Sequence, residues 1–404
     1  MALQKRVYLD TACAGIYPKE VLEAANEFVG IVGDETMAPS DKTTFFREKL
    51  VETRQLAAQL FNCSPDEMAL VENVTHALGV IANAVELTAE SNVLVCDLEF
   101  QSSYLCFTQR QKKVGFEIRK VPHEGGVINA EIFRKYIDAN TRLIVVSSVQ
   151  EINGYRVDVA EIARLAHEFG ALLIADGTQE AGAMKVDVKA SDVDVYCTGM
   201  KKLLLNPFGG GFMYIRKELV DTLAPPYDGY FTVQMPSKYS NYVAYMENPD
   251  RSPFDDCPPV ATAMKFEIGG YKNNLGAIGA GRAVRHLMGI GIENIEKTII
   301  ERNIQLTEGL ARLGVTLCSP TDPAHMSPTV TFNLGLRDGK SEKEKELITY
   351  LNANNVIASL RCMIGLGGIR ISMHYYTSRE DIDAALFHIE EFLKNRRNGE
   401  RDHA

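Results

Sequence analysis

With 404 residues, 46% hydrophobic and 24% charged, the chain has the composition of an ordinary soluble protein of two domains, which excludes disordered, collagen-like and membrane-spanning classes. Its 53 acidic and 43 basic residues give a formal net charge of -10, which opposes nucleic acid or another polyanion as the main partner. Eight cysteines without a C-x-x-C pair suit reduced thiols rather than a disulfide frame or a metal site, and the start MALQKRVYLD lacks the apolar stretch of a secretory signal, so a cytoplasmic protein with no membrane partner is expected.

From about residue 20 to 220, short β-branched runs alternate with longer amphipathic stretches, the pattern of a mostly parallel sheet built from βαβ units. The runs at 92–97, 116–121, 143–149, 171–176, 192–197 and 211–215 read as strands, several continuous enough to be buried on both faces. Helices belong between them, for example at 130–139 and 159–169. The stretch 222–262, rich in Pro, Tyr and Asp, reads as an irregular excursion near a site entrance. Beyond it, helices at about 275–289 and 293–314, strands near 328–333 and 369–373 and a helix at 379–394 form an α+β unit, with the charged tail KNRRNGERDHA expected to fray. The glycine runs GAIGAG (276–281) and GLGG (365–368) do not lie between a strand and a helix of a βαβ unit, so they read as helix packing and a turn rather than dinucleotide loops.

In open α/β sheets, ligands gather beyond the carboxyl ends of the strands. Two chemically distinct elements fall there: Asp176-Gly-Thr-Gln179 after the run ALLIAD, and Lys201-Lys202 ahead of LLLNPFGGGFMYI. Together they look like the two poles of a pyridoxal phosphate site. An acid at the pyridine nitrogen keeps it protonated and makes the ring an electron sink. The lysine amine must be deprotonated to attack the aldehyde, which burial or neighbouring positive charge favours.

From YLDTACAGIYP at residue 8 to IRISMHYYTSREDID at 369, the chain resembles in order the fold-type I pyridoxal phosphate enzymes of the class V aminotransferase group. That group includes cysteine desulfurases, selenocysteine lyases, kynureninases and isopenicillin-N-epimerase-like proteins. The resemblance implies an α/β fold: a large cofactor-binding domain over 21–262 with a mostly parallel seven-stranded sheet, and a smaller α+β domain over 263–404. It also implies that the segment 1–20 packs on the small domain, and that a homodimer carries the active site at its subunit interface. Asp176 would be the ring-nitrogen acid and Gln179 a donor to the phenolic oxygen. A gap-free match from Asp194 through Pro207 to Gly209 and Gly211 puts the Schiff base on Lys202; a one-residue shift puts it on Lys201. Thr75, His76 and the amides around Ala77 would hold the phosphate at a helix start, and Phe100 in DLEFQSSYLCF would stack on the ring. Arg370 would bind the substrate's α-carboxylate through two parallel hydrogen bonds. Gly270 replaces the threonine of the segment that reaches the partner's phosphate, so any contact there would use backbone amides. His374 and Tyr375 are read as structural.

The scaffold does not choose the reaction. Cys362 lies in the general region of the desulfurase cysteine, but only seven residues, 363 to 369, separate it from Arg370, so a bystander thiol is expected. EFQSS, the short C-terminal loop and VSSVQEINGYRVD look most like the epimerase-like and lyase branch. The leading expectation is an enzyme that labilises a Cα or Cβ bond of an amino acid. A transaminase giving a keto acid and a non-catalytic pyridoxal phosphate-binding protein are the alternatives. Glu151, His76, Tyr104, Tyr271 and the 222–262 excursion are candidates for shaping the pocket.

Overall fold

The computed structural model describes residues 6–236, 242–252, 254–336 and 341–402; the first five residues of the N-terminal segment, 237–241 and 253 of the excursion and the last two of the tail lie outside the described residues. The chain opens with β1 (Val7–Tyr8), α1 (Lys19–Gly33) and α2 (Pro39–Phe61). It continues through β2 (Met68–Val71), α3 (Val74–Ala84), β3 (Asn92–Cys96), α4 (Gln101–Val114), β4 (Glu117–Val121), α5 (Ala130–Arg134), β5 (Thr141–Ser147) and α6 (Val159–Glu168). Next come β6 (Leu172–Asp176), β7 (Val195–Gly199), β8 (Gly211–Ile215), α7 (Lys217–Thr222) and α8 (Tyr242–Glu247). The remainder is α9 (Asn274–Ile290), α10 (Ile292–Leu313), β9 (Thr316–Leu317), β10 (Thr329–Asn333), α11 (Glu342–Ala353), β11 (Val356–Ile357), β12 (Ser359–Met363), β13 (Leu366–Ser372) and α12 (Arg379–Asp402).

Seven strands form the central sheet in the order β2-β8-β7-β6-β5-β3-β4, parallel except for β8, which runs against both neighbours. The continuous apolar runs follow from burial on both faces. Leu94, Ile144 and Leu173 enter the core on one side, while Val93, Val145 and Ile174 enter the core on the other, as the period of two requires. A second, antiparallel sheet, β12-β13-β10-β9, has its own core, in which Phe332 and Ile371 meet Leu310 of α10 and Ile382 of α12. Helix α9 packs against α1 and α2, and its Val284 and Leu287 belong to the core of the large sheet. No helix among the described residues is long and apolar enough to cross a membrane.

The expected strands of the large sheet are present within a few residues, and the differences have local causes. The strand expected at 192 starts at Val195, because Asp192 takes a left-handed backbone (φ 53) and Asp194 turns its carboxylate back to the Leu173 amide at 2.7 Å. The helix expected over 130–139 ends at Arg134. The tail does not leave the helix near 394: α12 runs to Asp402, and Lys394 is paired with Glu390 one turn back at 2.9 Å.

The N-terminal segment joins the two sheets to the lysine-bearing turn. β1 pairs in parallel with β11, Ser372 N–H donates to Leu9 O at 2.8 Å, and Ala12 N–H donates to Ser372 Oγ at 2.8 Å. Gly15 N–H then donates to Lys201 O at 3.1 Å, an approach so close that a Cβ on Gly15 would collide with the Lys202 carbonyl oxygen. From the other side, His374 Nε2 donates to Leu203 O at 2.9 Å while Nδ1 accepts Tyr375 N–H at 2.9 Å, which fixes the tautomer. Burial holds the His374 imidazole down to about 4, so it is neutral here.

A folded pKa below the unfolded value means that the unfolded chain binds the extra proton first, so stability falls as pH drops through the window from about 6.5 to 4. Between pH 7.5 and 5, His374 alone is expected to remove about 2 kcal/mol. Denaturant unfolding of wild type and His374→Asn at both pH values checks this: the variant should be less stable at pH 7.5 and lose less on acidification.

Candidate active site

A cavity of about 410 Å³ lies beyond the carboxyl ends of β5, β6 and β7, bordered by Ser147, Asp176, Gln179 and Lys202 together with Phe100 and Glu151. This is the crevice that a parallel sheet creates. It brings together six of the residues singled out by sequence: Phe100, Glu151, Asp176, Gln179, Lys201 and Lys202.

Asp176 ends β6. Its carboxylate accepts the Thr178 N–H at 2.9 Å and is only 4% exposed, and burial pushes its pKa up against the pull of the Thr178 hydrogen bonds and the Lys202 charge. Among the described residues it forms no ion pair. Gln179 Nε2 donates to Ala12 O at 3.2 Å, which leaves the buried Oε1 without a hydrogen-bond partner among the described residues. Lys202 is held below the ordinary lysine range chiefly by burial; the carboxylates of Glu151 and Asp176 oppose the shift and Arg370 adds to it. Its Nζ lies 5.8 Å from the centre of the Phe100 ring. Lys201 also borders the cavity but is exposed, and its carbonyl is taken by Gly15.

The start of α3 differs from expectation. Asn73 Oδ1 accepts the His76 N–H at 2.9 Å and Asn73 O accepts the Ala77 N–H at 3.2 Å, so the amides left for an anion are those of Val74 and Thr75. Thr75 Oγ1 is 2.9 Å from Ser102 Oγ, which joins the first turns of α3 and α4. The His76 ring accepts the Glu72 N–H at 3.3 Å through Nδ1 and meets the Tyr227 hydroxyl at 3.2 Å; burial lowers its pKa, so it is neutral and turned to the excursion instead of the cavity. Gly270 also stands outside the cavity. Its neighbour Gly269 packs on Gly229 of the excursion.

Arg370, on β13, is 1% exposed and does not border the cavity. Its Nη2 faces Asp10 Oδ1 at 3.5 Å, and its Nη1 faces Glu151 Oε2 at 3.9 Å. Asp10, Cys13 and Ser147 at this site were not found from sequence, because nothing local marks a residue that meets its partners only across the fold. Glu99 was also missed. Its carboxylate accepts Ser147 N–H at 2.7 Å, Ser147 Oγ–H at 2.5 Å and Gln150 Nε2–H at 2.9 Å, and burial drives its pKa up to about 7 against those hydrogen bonds.

The donor set fits pyridoxal phosphate. A buried carboxylate without a cation suits a protonated ring nitrogen, Gln179 lies along the same wall with Nε2 giving one hydrogen to Ala12 O and one left to donate, and a desolvated amine borders the same cavity.

The class V aminotransferase family model matches residues 7–385, nearly the whole chain, so the chain belongs to that family, whose enzymes depend on pyridoxal phosphate. A protein of Methanothermobacter thermautotrophicus named "Probable cysteine desulfurase" is 28% identical over 390 residues, covering 94% of this chain and 93% of its own. The apo structure of a cysteine desulfurase from Thermococcus onnurineus has the same fold, with a TM-score of 0.81 at 24% identity over 96% of this chain and 95% of that one. So does the cystine C-S lyase C-DES in complex with its reaction product cysteine persulfide, with a TM-score of 0.83 at 20% identity over 96% and 98%.

A buried acid with a raised pKa destabilises the cofactor-free fold above its unfolded pKa, and the penalty fades as pH falls. Asp176→Asn keeps the shape and the Thr178 contact, so it is expected to raise the stability of the cofactor-free protein by about 1–2 kcal/mol at pH 8 and by less at pH 5. The same change should weaken retention of pyridoxal phosphate. Urea unfolding and dialysis against buffer measure the two effects; a less stable variant at pH 8 would contradict the reading.

Proposed function

We propose that this family member is a pyridoxal phosphate-dependent lyase that breaks the carbon-sulfur bond at Cβ of a sulfur-containing amino acid, with Lys202 carrying the cofactor. The observation that carries the reading is the desolvated Lys202 amine, lowered in pKa, sharing one cavity with the buried and unpaired Asp176. Bound pyridoxal phosphate supplies an aldehyde for the amine and an electron-withdrawing ring that weakens bonds at the substrate's Cα.

The chain's own residues supply the rest. Burial keeps a larger share of Lys202 Nζ unprotonated, so it can hold the aldehyde and then, once released, take or return a proton at the substrate carbon. Asp176 holds positive charge at the ring nitrogen in a setting with little water. Gln179 would offer the second N–H of its Nε2, the first being taken by Ala12 O, to the phenolic oxygen, and the amides of Val74 and Thr75 would offer a cradle for the phosphate. The Phe100 ring, which has no ionisable group and borders the cavity, would stack on the bound ring without moving a proton. Arg370 is the receptor for the α-carboxylate.

Carbon-sulfur chemistry is supported by the relatives' names, which specify cysteine desulfurase and cystine C-S lyase. Those names also favour a second reading, a desulfurase that passes sulfur to a protein thiol. Cys362 is poorly suited to receive it. The residue is exposed but fixed in β12 opposite Gly367 across a tight hairpin, and partial desolvation, with Glu344 and Cys318 nearby, raises its thiol pKa. Exposed Val51 and Tyr271, which line one apolar groove with Phe231, support the homodimer that the family resemblance implies. Eight free cysteines suit the cytoplasm.

Borohydride reduction of the protein loaded with pyridoxal phosphate, followed by peptide mapping, should label Lys202; a label on Lys201, or on neither, overturns the assignment. With L-cysteine the lyase releases pyruvate, ammonia and sulfide, and with L-cystine it releases pyruvate, ammonia and cysteine persulfide; a desulfurase leaves alanine from L-cysteine, and a transaminase leaves a keto acid that retains its sulfur. Lys202→Ala should lower turnover by about 10³-fold or more.

A further inference from the structure

Arg370 is closed off from the cavity it would serve. Its Nε donates to Ser359 Oγ at 3.2 Å, and that hydroxyl donates in turn to Asp10 Oδ1 at 2.8 Å, which also stands 3.5 Å from Nη2. This side is a closed frame of hydrogen bonds. The other side is looser. Nη1 donates to the Glu151 backbone oxygen at 3.3 Å, and the Glu151 carboxylate stands 3.9 Å away, an ion pair without a hydrogen bond. Glu151 borders the cavity, whereas Asp10 and Arg370 do not.

We propose that Glu151 is a specificity-determining residue that competes with the substrate for Arg370. Its carboxylate occupies the cavity-facing end of the guanidinium, so a substrate carboxylate reaches Arg370 only by displacing it. One guanidinium already faces two carboxylates; a third at the same place would be repelled by both and could not form a bidentate pair with a taken edge. The site therefore takes α-carboxylates weakly for one that contains a buried arginine, and discriminates little between an acid and its uncharged amide. The preferred substrates are amino acids that derive their binding energy mainly from the side chain. This rests on the reading of Arg370 as the carboxylate receptor.

The test uses propionate, which lacks the amine needed to react with the cofactor, and propionamide as its uncharged match. Calorimetric titration of the full-length protein, with and without pyridoxal phosphate, compares wild type with Glu151→Gln, which keeps size and removes charge. The variant is expected to bind propionate about fivefold or more tightly than wild type and propionamide unchanged, the size of effect that one lost competing charge gives. Adding Arg370→Gln should abolish the gain. Equal or weaker propionate binding by Glu151→Gln, or an equal gain for propionamide, overturns the proposal; should the double variant not fold, the comparison between acid and amide still decides. Propionate binding requires no turnover, so failure of the lyase reading appears separately in the lysine label and the products.

Discussion

The position of one short turn, Met200 to Asn206, governs the rest of the site. It is held by hydrogen bonds to three distant parts of the chain. Gly15 in the N-terminal segment donates to Lys201 O at 3.1 Å, His374 after β13 donates to Leu203 O at 2.9 Å, and the Asn206 side chain donates to Gly276 O of α9 at 2.8 Å. Leu205 accepts a left-handed backbone (φ 55) to make the turn, a conformation that costs free energy in a branched apolar residue and persists only where its surroundings over-determine it. Lys202 therefore has its backbone position set before its side chain adds any constraint. The small sheet, the N-terminal segment and the large sheet are also coupled at the residue that matters most, since disturbing any one of the three anchors frees a buried carbonyl.

Away from this turn, two buried acids are matched by cations. Glu267 is paired with Arg54 at 2.6 Å and with Lys272, and it accepts the Leu70 amide at 2.8 Å; its pKa is lowered despite complete burial. Asp194 meets His167 at 2.9 Å and Arg216 at 3.1 Å. Around the cavity the pattern inverts. Asp176 and Glu99 are buried, have raised pKa values and are met by neutral donors only. The difference is one of location rather than residue type: the fold pairs Glu267 and Asp194 with cations, and it leaves Asp176 without one where a ligand would supply the missing charge.

Much of this was legible in the sequence where the signal is local. The runs NVLVC and LLIAD read as strands because both of their faces are buried, and a strand buried on both sides needs no alternation to be recognised. β12 was missed because SLRCM is only partly buried and looks like a loop, although it pairs along its whole length with β13. Asp176 and Gln179 stand out because they end such a run. The gap-free match chose Lys202 and left Lys201 as the alternative, and the physical difference between them is created by folding: Lys201 is exposed, while Lys202 borders the cavity within reach of the charges of Glu151 and Asp176. His76 looked like a phosphate ligand from its place at a helix start, but Asn73 takes its amide first, since a side-chain cap competes for the same donor that an anion would use. Residues 10, 151 and 370 carry no mutual mark in the sequence.

That last group also explains how Arg370 can be buried at all. A guanidinium at 1% exposure with no acid beside it would cost several kcal/mol in lost hydration, and the protein would either open to water or exclude the residue from the site. Asp10 and Glu151 offset that cost before any substrate arrives, one from the N-terminal segment and one from the loop after β5. The consequence is electrostatic: a substrate carboxylate arriving at Arg370 would replace an acid already there, so the exchange would gain far less Coulomb energy than filling an empty site. Tight carboxylate binding and a stably buried receptor arginine would thus be opposed in this arrangement, and discrimination would shift to the rest of the cavity lining.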